Sequence, residues 1–288
     1  MFEIIILDLE WNTAYSTRRA RFVNEIIEFG AVKLDENFDV VDRFQMFVKS
    51  KLSKKLRGRV KELTHITNED LRENGQDFSR VLAEFKRWAG KNAVIMTWSN
   101  SDLHVLLDNC RCFTRNETIP FLHKYMDLQK YVQDIIEYDE SKQIGLSNAA
   151  ESFGIDSSEM DLHRAVDDSE LCANILKKCY DEELIESYIM DADHPEFYDR
   201  LVFKPFLITD INSPFISQND MRLKCEKCGN TLRRKNQWKY KNKHFSANFI
   251  CRSCDEDFVG KVQVKKLYDG VSIKKSVTPV AKNPDEKK

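Results

Sequence analysis

Apolar positions along this chain follow two different periods. Residues 2–9 form an almost unbroken apolar run, β-branched and too short for a helix, which predicts a buried strand. Segments 25–34 (EIIEFGAVKL) and 39–48 (DVVDRFQMFV) predict two more strands, and the intervening DEN is a turn signal that pairs them as a hairpin. The period then changes. SRVLAEFKRWAG has the spacing of an amphipathic helix, with serine at its start and glycine at its end. NAVIMTWS predicts a strand, DLHVLLDNC a helix, FLHKYMDLQ a strand, and LSNAAESFG and AVDDSELCANILKKCY two helices. Three strands followed by alternating helices and strands predict an α/β fold. Its mixed β-sheet starts antiparallel, continues parallel and is flanked by helices.

At 288 residues the chain has room for one medium domain and one small one. We expect the first over 1–185. Segment 186–218 contains Pro195, Pro205 and Pro214 and no clean periodicity, so it reads as a linker or extension. A small β module is expected over 219–268. From 269 the chain carries lysine and proline and few apolar residues, and reads as a disordered tail.

Charge sharpens this division. The net charge of -2 conceals +9 over 222–266, +2 over 267–288 and -13 over 1–221. An acidic body with a basic appendix implies separate tasks, and the appendix suits a polyanionic partner. No apolar run approaches the roughly 20 residues that span a bilayer, and the N-terminus lacks the basic leader of a signal peptide. We expect a cytoplasmic protein without a membrane partner.

The first apolar run ends in Asp8 and Glu10. Side chains at i and i+2 of a strand share a face. Two carboxylates so placed repel, burial disfavours their charges further, and a hard divalent cation such as Mg²⁺ or Mn²⁺ resolves the conflict. A strand simply running out into solvent is the plainer alternative. Asp102 follows an apolar strand and opens a helix, where it can cap the helix or face a ligand at the strand's C-terminal edge. In the helix that starts within HRAVDDSE, Asp168 lies near the centre of the apolar stripe of Leu171, Cys172, Ile175, Leu176 and Cys179, so it points inward and needs a partner. His163 precedes it by five residues. Convergence of Asp8, Glu10, Asp102 and Asp168 would hold two metals beside an imidazole. That set suits in-line hydrolysis of a phosphodiester, with histidine taking the proton of the attacking water.

These motifs resemble the DEDDh 3′–5′ exonucleases, the DnaQ-like branch of the RNase H-like fold. LDLEWN matches the first motif with Asp8 and Glu10. WSNSD matches the second with Asp102. HRAVDDSE matches the third, His-x₄-Asp, with His163 and Asp168. NEIIEFGAVKLD and LTHITNEDL resemble the connecting segments, and the likeness covers about 1–182. The EIIEFGAV phrasing resembles the RNA-trimming branch and its KapD-like bacterial relatives. The resemblance implies attack at the 3′-terminal phosphodiester of single-stranded RNA or DNA, RNA favoured, releasing nucleoside 5′-monophosphates with two Mg²⁺ or Mn²⁺ per site. It makes Asp8, Glu10, Asp102 and Asp168 the metal ligands and His163 the general base. Trp11 and Asn12 replace the common residues after the first motif, and His65 stands where the family often has glycine. Trp11, Asn12, His65 and Ile66 are therefore candidate nucleic-acid contacts, with core packing the alternative for Trp11 and Ile66. A DNA proofreading or repair exonuclease and a non-catalytic adaptor on the same fold are the competing readings.

CEKCG (225–229) and CRSC (251–254) are two C-x-x-C pairs separated by 22 residues. Four thiolates at this spacing suit one structural Zn²⁺, which can replace the core that so short a segment lacks. The module resembles a zinc ribbon. Cys225, Cys228, Cys251 and Cys254 are the candidate ligands. Between the pairs, Arg233, Arg234 and Lys235 interleave with Trp238 and Tyr240, a composition suited to phosphates and unpaired bases. The alternative is a solvated hairpin with its aromatics on the zinc knuckles. A protein or ribonucleoprotein partner is a further expectation for this module.

Overall fold

The computed structural model describes residues 3–139, 142–156 and 163–280. The chain divides into two compact units, 1–201 and 202–288.

In the first unit the strands are β1 (Glu3–Ser16), β2 (Arg21–Leu34), β3 (Val40–Phe47), β4 (Ala93–Thr97), β5 (Lys124–Asp127) and β6 (Met190–Asp191). The helices are α1 (Gly58–Thr64), α2 (Asn68–Glu73), α3 (Phe78–Ala89), α4 (Ser101–Asn109), α5 (Leu128–Ile135), α6 (Leu146–Ser152), α7 (Ala165–Cys179), α8 (Glu182–Ile185) and α9 (Pro195–Val202), whose last residue opens the second unit. The six strands form one sheet in the order β3-β2-β1-β4-β5-β6. β1, β2 and β3 are antiparallel neighbours, β4 and β5 join in parallel, and β6 closes the edge antiparallel. This is the mixed sheet the alternation of periods predicts.

Helices cover both faces, which is why the central strands carry continuous apolar runs. Every residue of β4 is buried. On one face Phe78, Val81, Leu82, Phe85 and Ala89 of α3 pack with Ile5, Leu7, Leu9 and Phe29. On the other Leu171, Cys172, Ile175, Leu176 and Cys179 of α7 pack with Ile4, Ile6, Val32 and Met96. The segment read as a linker folds in part onto this unit: α9 buries Phe197, Tyr198 and Leu201 in the first core.

The second unit contains β7 (Phe206–Leu207), β8 (Arg233–Arg234), β9 (Lys239–Lys241), β10 (His244–Cys251), β11 (Glu256–Leu267) and β12 (Gly270–Pro279). They form an antiparallel sheet with the path β12-β11-β10-β8, β7 pairing β11 and β9 pairing β10. Its core includes Ile208, Leu223, Phe245, Phe249, Phe258, Val262 and Val264. The disordered tail expected from 269 is corrected here, because Gly270–Pro279 is a strand paired along its length with β11. Residues 281–288 of that tail lie outside the described residues. Among the described residues no helix is long and apolar enough to cross a membrane.

Candidate active site

The site is built where β4 leaves β1. Parallel pairing of the two ends at Ile6 and Met96, while β1 continues to Ser16. The backbone N–H of Leu9 would be left without a strand partner. Instead it donates to Asp102 Oδ1 at 3.1 Å, and Asp102 sits in the first turn of α4. So Asp102, 4% exposed, takes up the sheet edge that β4 vacates.

Asp8 and Glu10 alternate with buried Leu7 and Leu9, as a strand dictates. Their antiparallel partners on β2 are Gly30 and Glu28, and a register shift follows at Glu10/Trp11. Helix α7 covers this face. It comes close because Gly30 has no side chain: a Cβ there would lie 2.3 Å from both the Ala165 carbonyl carbon and the Val166 nitrogen. Ser169 Oγ donates to Ala165 O at 2.8 Å and lies 3.3 Å from Gly30 O. The first turn of α7 is thus pressed onto β2, and Asp168 reaches the acids of β1. One oxygen each from Asp8, Glu10 and Asp168 lies within 4.8 Å of the others. Asp102 is outside that mutually close set but faces it electrostatically, raising the proton affinity of Asp8.

Burial pushes Asp8 well above the usual carboxylate range, and Asp102, Glu10, Asp168 and Glu28 push it further. Glu10 rises to about 8, from burial first and then Asp168, Glu28 and Asp102, with Arg164 opposing. Burial raises Asp102 to about 7 against the Leu9 hydrogen bond. Asp168 rises to about 6 through burial, moderated by His163. Each acid resists ionisation beside the others, and a divalent cation reverses that penalty.

His163 stands just before α7 with φ +74°, the left-handed region, and is exposed. Its backbone N–H donates to Asp168 Oδ2 at 3.2 Å, so the histidine and the acid are physically joined.

Glu28 and Arg164 complete the site and were not singled out from sequence. Glu28 is fully buried, and Arg164 Nη2 donates to its Oε1 at 2.8 Å while Gln45 Nε2 donates at 2.7 Å. Arg164 lies between His163 and α7, so this pair ties the histidine segment to β2. The signal was present: an acid inside the apolar run IIEFGAV must find a partner. Glu25, also buried, receives Leu52 N–H and Ser50 Oγ, fixing the turn after β3.

Two proposed nucleic-acid contacts are corrected. Ile66 is 1% exposed in a cluster with Ile27, Leu56 and Leu71. Asn12 is fully buried, its Oδ1 accepting the Arg57 N–H at 3.1 Å. Both side chains are turned into the interior rather than presented on the surface. Trp11 is half-buried against the first core. His65 is exposed and adopts φ +57° at the C-cap of α1, the conformation glycine reaches at least cost.

In the second unit the four cysteine sulfurs lie within 4.8 Å of one another. Cys225–Cys254 and Cys228–Cys251 are 3.9 and 3.5 Å apart. Disulfide sulfurs would be about 2 Å apart. Sulfurs at about 2.3 Å from a tetrahedral Zn²⁺ are about 3.8 Å from one another, which these distances fit. Gly229 (φ +72°) closes the first knuckle by donating to Cys225 O at 2.9 Å. Trp238 packs edge-on against Phe249 with centroids 5.4 Å apart, and Arg234 lies 6.0 Å from its ring. Tyr240 packs on Phe245. Lys235 is bound to Asp257 at 3.0 Å, and Arg233 is exposed.

The RNase T family of exonucleases matches residues 5–176. The probable 3′-5′ exonuclease KapD of Bacillus subtilis (strain 168) is 32% identical over 203 residues, covering 69% of this chain and 93% of that protein. The PolC-type DNA polymerase III of Clostridium perfringens (strain 13 / Type A) is 30% identical over 191 residues, 66% of this chain but 12% of the polymerase. Among solved structures, the nuclease domain of 3′hExo, a DEDDh family member bound to rAMP, shares the fold with a TM-score of 0.52 and 24% identity, over 61% of this chain and 90% of that one.

Proposed function

The chain belongs to the DEDDh exonucleases of the RNase T family and is a 3′–5′ exonuclease acting on nucleic-acid 3′ ends, and from that premise we propose single-stranded RNA as its preferred substrate and the acids of β1, α4 and α7 as its catalytic centre. The observation that carries the site assignment is the meeting of Asp8, Glu10 and Asp168, from positions 160 residues apart, within shared coordination reach. DEDDh nucleases use divalent metals. Here Asp8, Glu10 and Asp168 are the mutually close donors that fit Mg²⁺ or Mn²⁺, with Asp102 beside them as the fourth carboxylate. When bound, a metal pair supplies activation of water and charge stabilisation at the leaving oxygen.

The chain's own residues do the rest. His163 takes the proton of the attacking water. The water oxygen bonds to the terminal phosphorus, the bond to the 3′ oxygen breaks, that oxygen takes a proton from solvent water, and a nucleoside 5′-monophosphate leaves a strand ending in 3′-OH. The backbone bond from His163 to Asp168 keeps base and ligand set in register, and the Glu28–Arg164 pair holds that segment on the sheet.

In the second unit we assign Cys225, Cys228, Cys251 and Cys254 to one structural Zn²⁺ in a zinc-ribbon module. The preference for RNA is supported by the likeness of EIIEFGAV to the RNA-trimming branch. The matched segment of a DNA polymerase favours DNA as the second reading. Release of mononucleotides from matched RNA and DNA strands, in Mn²⁺ with and without chelator, decides between them. Faster turnover of RNA supports the proposal, and faster turnover of DNA overturns the preference. Asp8→Ala or Asp168→Ala should lose activity by several orders of magnitude with the fold intact, and near-wild-type degradation by either would refute the assigned site.

A further inference from the structure

The β-sheet of the second unit has one face packed on its core and one face open. Register assigns the residues. Lys239 of β9 lies opposite Ser246 of β10, Ser246 opposite Lys261 of β11, and Lys261 opposite Ser276 of β12. Gln263 faces Lys274, and Lys265 faces Ser272, on the same side. Lys241 follows two residues after Lys239, and Arg233 pairs with Ile250 on this face. All six of these cations are exposed. The one carboxylate among the strand residues of this face is Asp257, opposite Ile250, and Lys235 already neutralises it at 3.0 Å.

Several cations elsewhere in the unit are employed within it. Lys227 pairs with Glu256 at 2.7 Å. Lys275 donates to the carbonyls of Asn219 and Arg222, and Lys266 to those of Tyr268 and Gly270. The open-face cations have no such hydrogen bond or ion pair among the described residues.

Two ordinary uses of surface lysine do not account for the whole face. Lysine on an edge strand blocks edge-to-edge pairing, but Lys261 and Lys265 lie on β11, flanked by β10 or β7 on one side and β12 on the other. Solubility is served by mixed charges, and this face presents lysine and arginine interspersed mainly with serine, glutamine and asparagine, with Ile250, Val259 and Leu267 among them. Such a surface offers donors and positive charge to a polyanion. Trp238 and Tyr240 pack against Phe249 and Phe245 on the other side, and the one ring among the strand residues of this face is the imidazole of His244, opposite Lys241, so charge rather than stacking dominates it.

We infer that this open sheet face binds the phosphodiester backbone of a single-stranded nucleic acid without regard to sequence, through Lys239, Lys261, Lys265 and Lys274 with Arg233 and Lys241. The choice of nucleic acid over an acidic protein rests on the nuclease reading above. The inference moves the phosphate contacts away from Lys235 and Arg234, and adds β11 and β12 to the binding surface.

The test is fluorescence anisotropy of the full chain, without added Mg²⁺ or Mn²⁺, on RNA and DNA strands of about 24 nucleotides, longer than the roughly 4–16 that one OB-type fold covers. Each phosphate neutralised on a single strand contributes a slope of about 0.7 in log K against log salt. The Lys261→Gln/Lys265→Gln/Lys274→Gln triple should therefore flatten the slope by about 2 and weaken binding about tenfold or more in low salt, equally for RNA and DNA. The corresponding Lys→Arg triple should keep the wild-type slope. A control triple of equal charge change on the first unit, Lys86→Gln/Lys91→Gln/Lys178→Gln, should leave it in place. An unchanged slope in the test triple, or the same change in the control, overturns the inference and leaves the face to a different partner. Mononucleotide release from a trinucleotide, measured alongside, separates the two claims. Turnover with an unmoved slope sinks this inference alone, whereas a flattened slope without turnover sinks the nuclease reading and leaves the binding face standing.

Discussion

Replacing Gly30 with alanine tests how the catalytic helix is seated. The new Cβ would stand 2.3 Å from two backbone atoms of Ala165 and Val166 and 2.5 Å from the Ala165 Cβ, about 1 Å short of the 3.4 Å at which ordinary contact begins. No flexible side chain can yield there. Around Gly30, strand β2 is held between β1 and β3, so the start of α7 must withdraw by about that distance. Asp168, three residues further on, moves with it, as does the His163 backbone bonded to its carboxylate. A misplacement of about 1 Å in a catalytic constellation costs on the order of 100-fold in rate. Overpacking a core costs about 1–3 kcal/mol, and each kcal/mol is worth about 2–4 °C in the melting of a unit of this size. Gly30→Ala is therefore expected to lose about two orders of magnitude in kcat and several degrees in melting temperature. Steady-state release of mononucleotides from a short strand and a thermal melt measure both. Near-wild-type turnover together with an unmoved melt would refute the claim that close approach at Gly30 sets the site.

Glu28→Gln removes the charge that meets Arg164 and should cost about 2–3 kcal/mol, below the usual 3–5 for a buried pair because Arg164 is partly exposed. Its kcat should fall more than its KM, with partial recovery in Glu28→Asp, and an unaltered melt would contradict the anchoring role. Metal removal should be pH-dependent in a definite sense. Glu10, Asp102 and Asp168 are raised to about 8, 7 and 6, so between about pH 4 and 8 the folded metal-free chain holds protons that the unfolded chain has released, and its stability falls as pH rises through that window. Adding Mn²⁺ should raise the melting temperature most at the alkaline end, and a shift that is larger in acid would be the wrong sign. Cys228→Ser should abolish stoichiometric zinc, seen by metal analysis, and melt the second unit, since such a site contributes about 10–16 kcal/mol in small modules. Retained cooperative folding without zinc would remove the metal from the account.

What could be read from sequence was whatever local spacing encodes. Asp8 and Glu10 share a face because strands alternate, and Asp168 points inward because it lies on the apolar stripe of its helix. Asp102 was placed by its position between a strand and a helix, although its bond to Leu9 spans 93 residues and no spacing announces it. The Glu28–Arg164 pair spans 136 residues and was equally invisible, apart from the oddity of an acid in an apolar run. β1 runs to Ser16 rather than ending near residue 9, because pairing with β2 as far as Arg21 carries it past its apolar stretch. β12 escaped notice for the same reason. Val271, Ile273 and Val277 alternate too sparsely to signal a strand, and ten residues of pairing with β11 supply the order. The burial of Ile66 and Asn12 is not legible in the sequence, because position beside a motif does not report burial.

The central claim is that Asp8, Glu10 and Asp168 together hold the catalytic cations. Anomalous diffraction at the manganese edge, from crystals of the full chain soaked in Mn²⁺, tests it most directly. The account requires a peak within bonding distance of all three carboxylates, lost in Asp168→Asn. A map without density there, or with manganese bound only elsewhere, would contradict it.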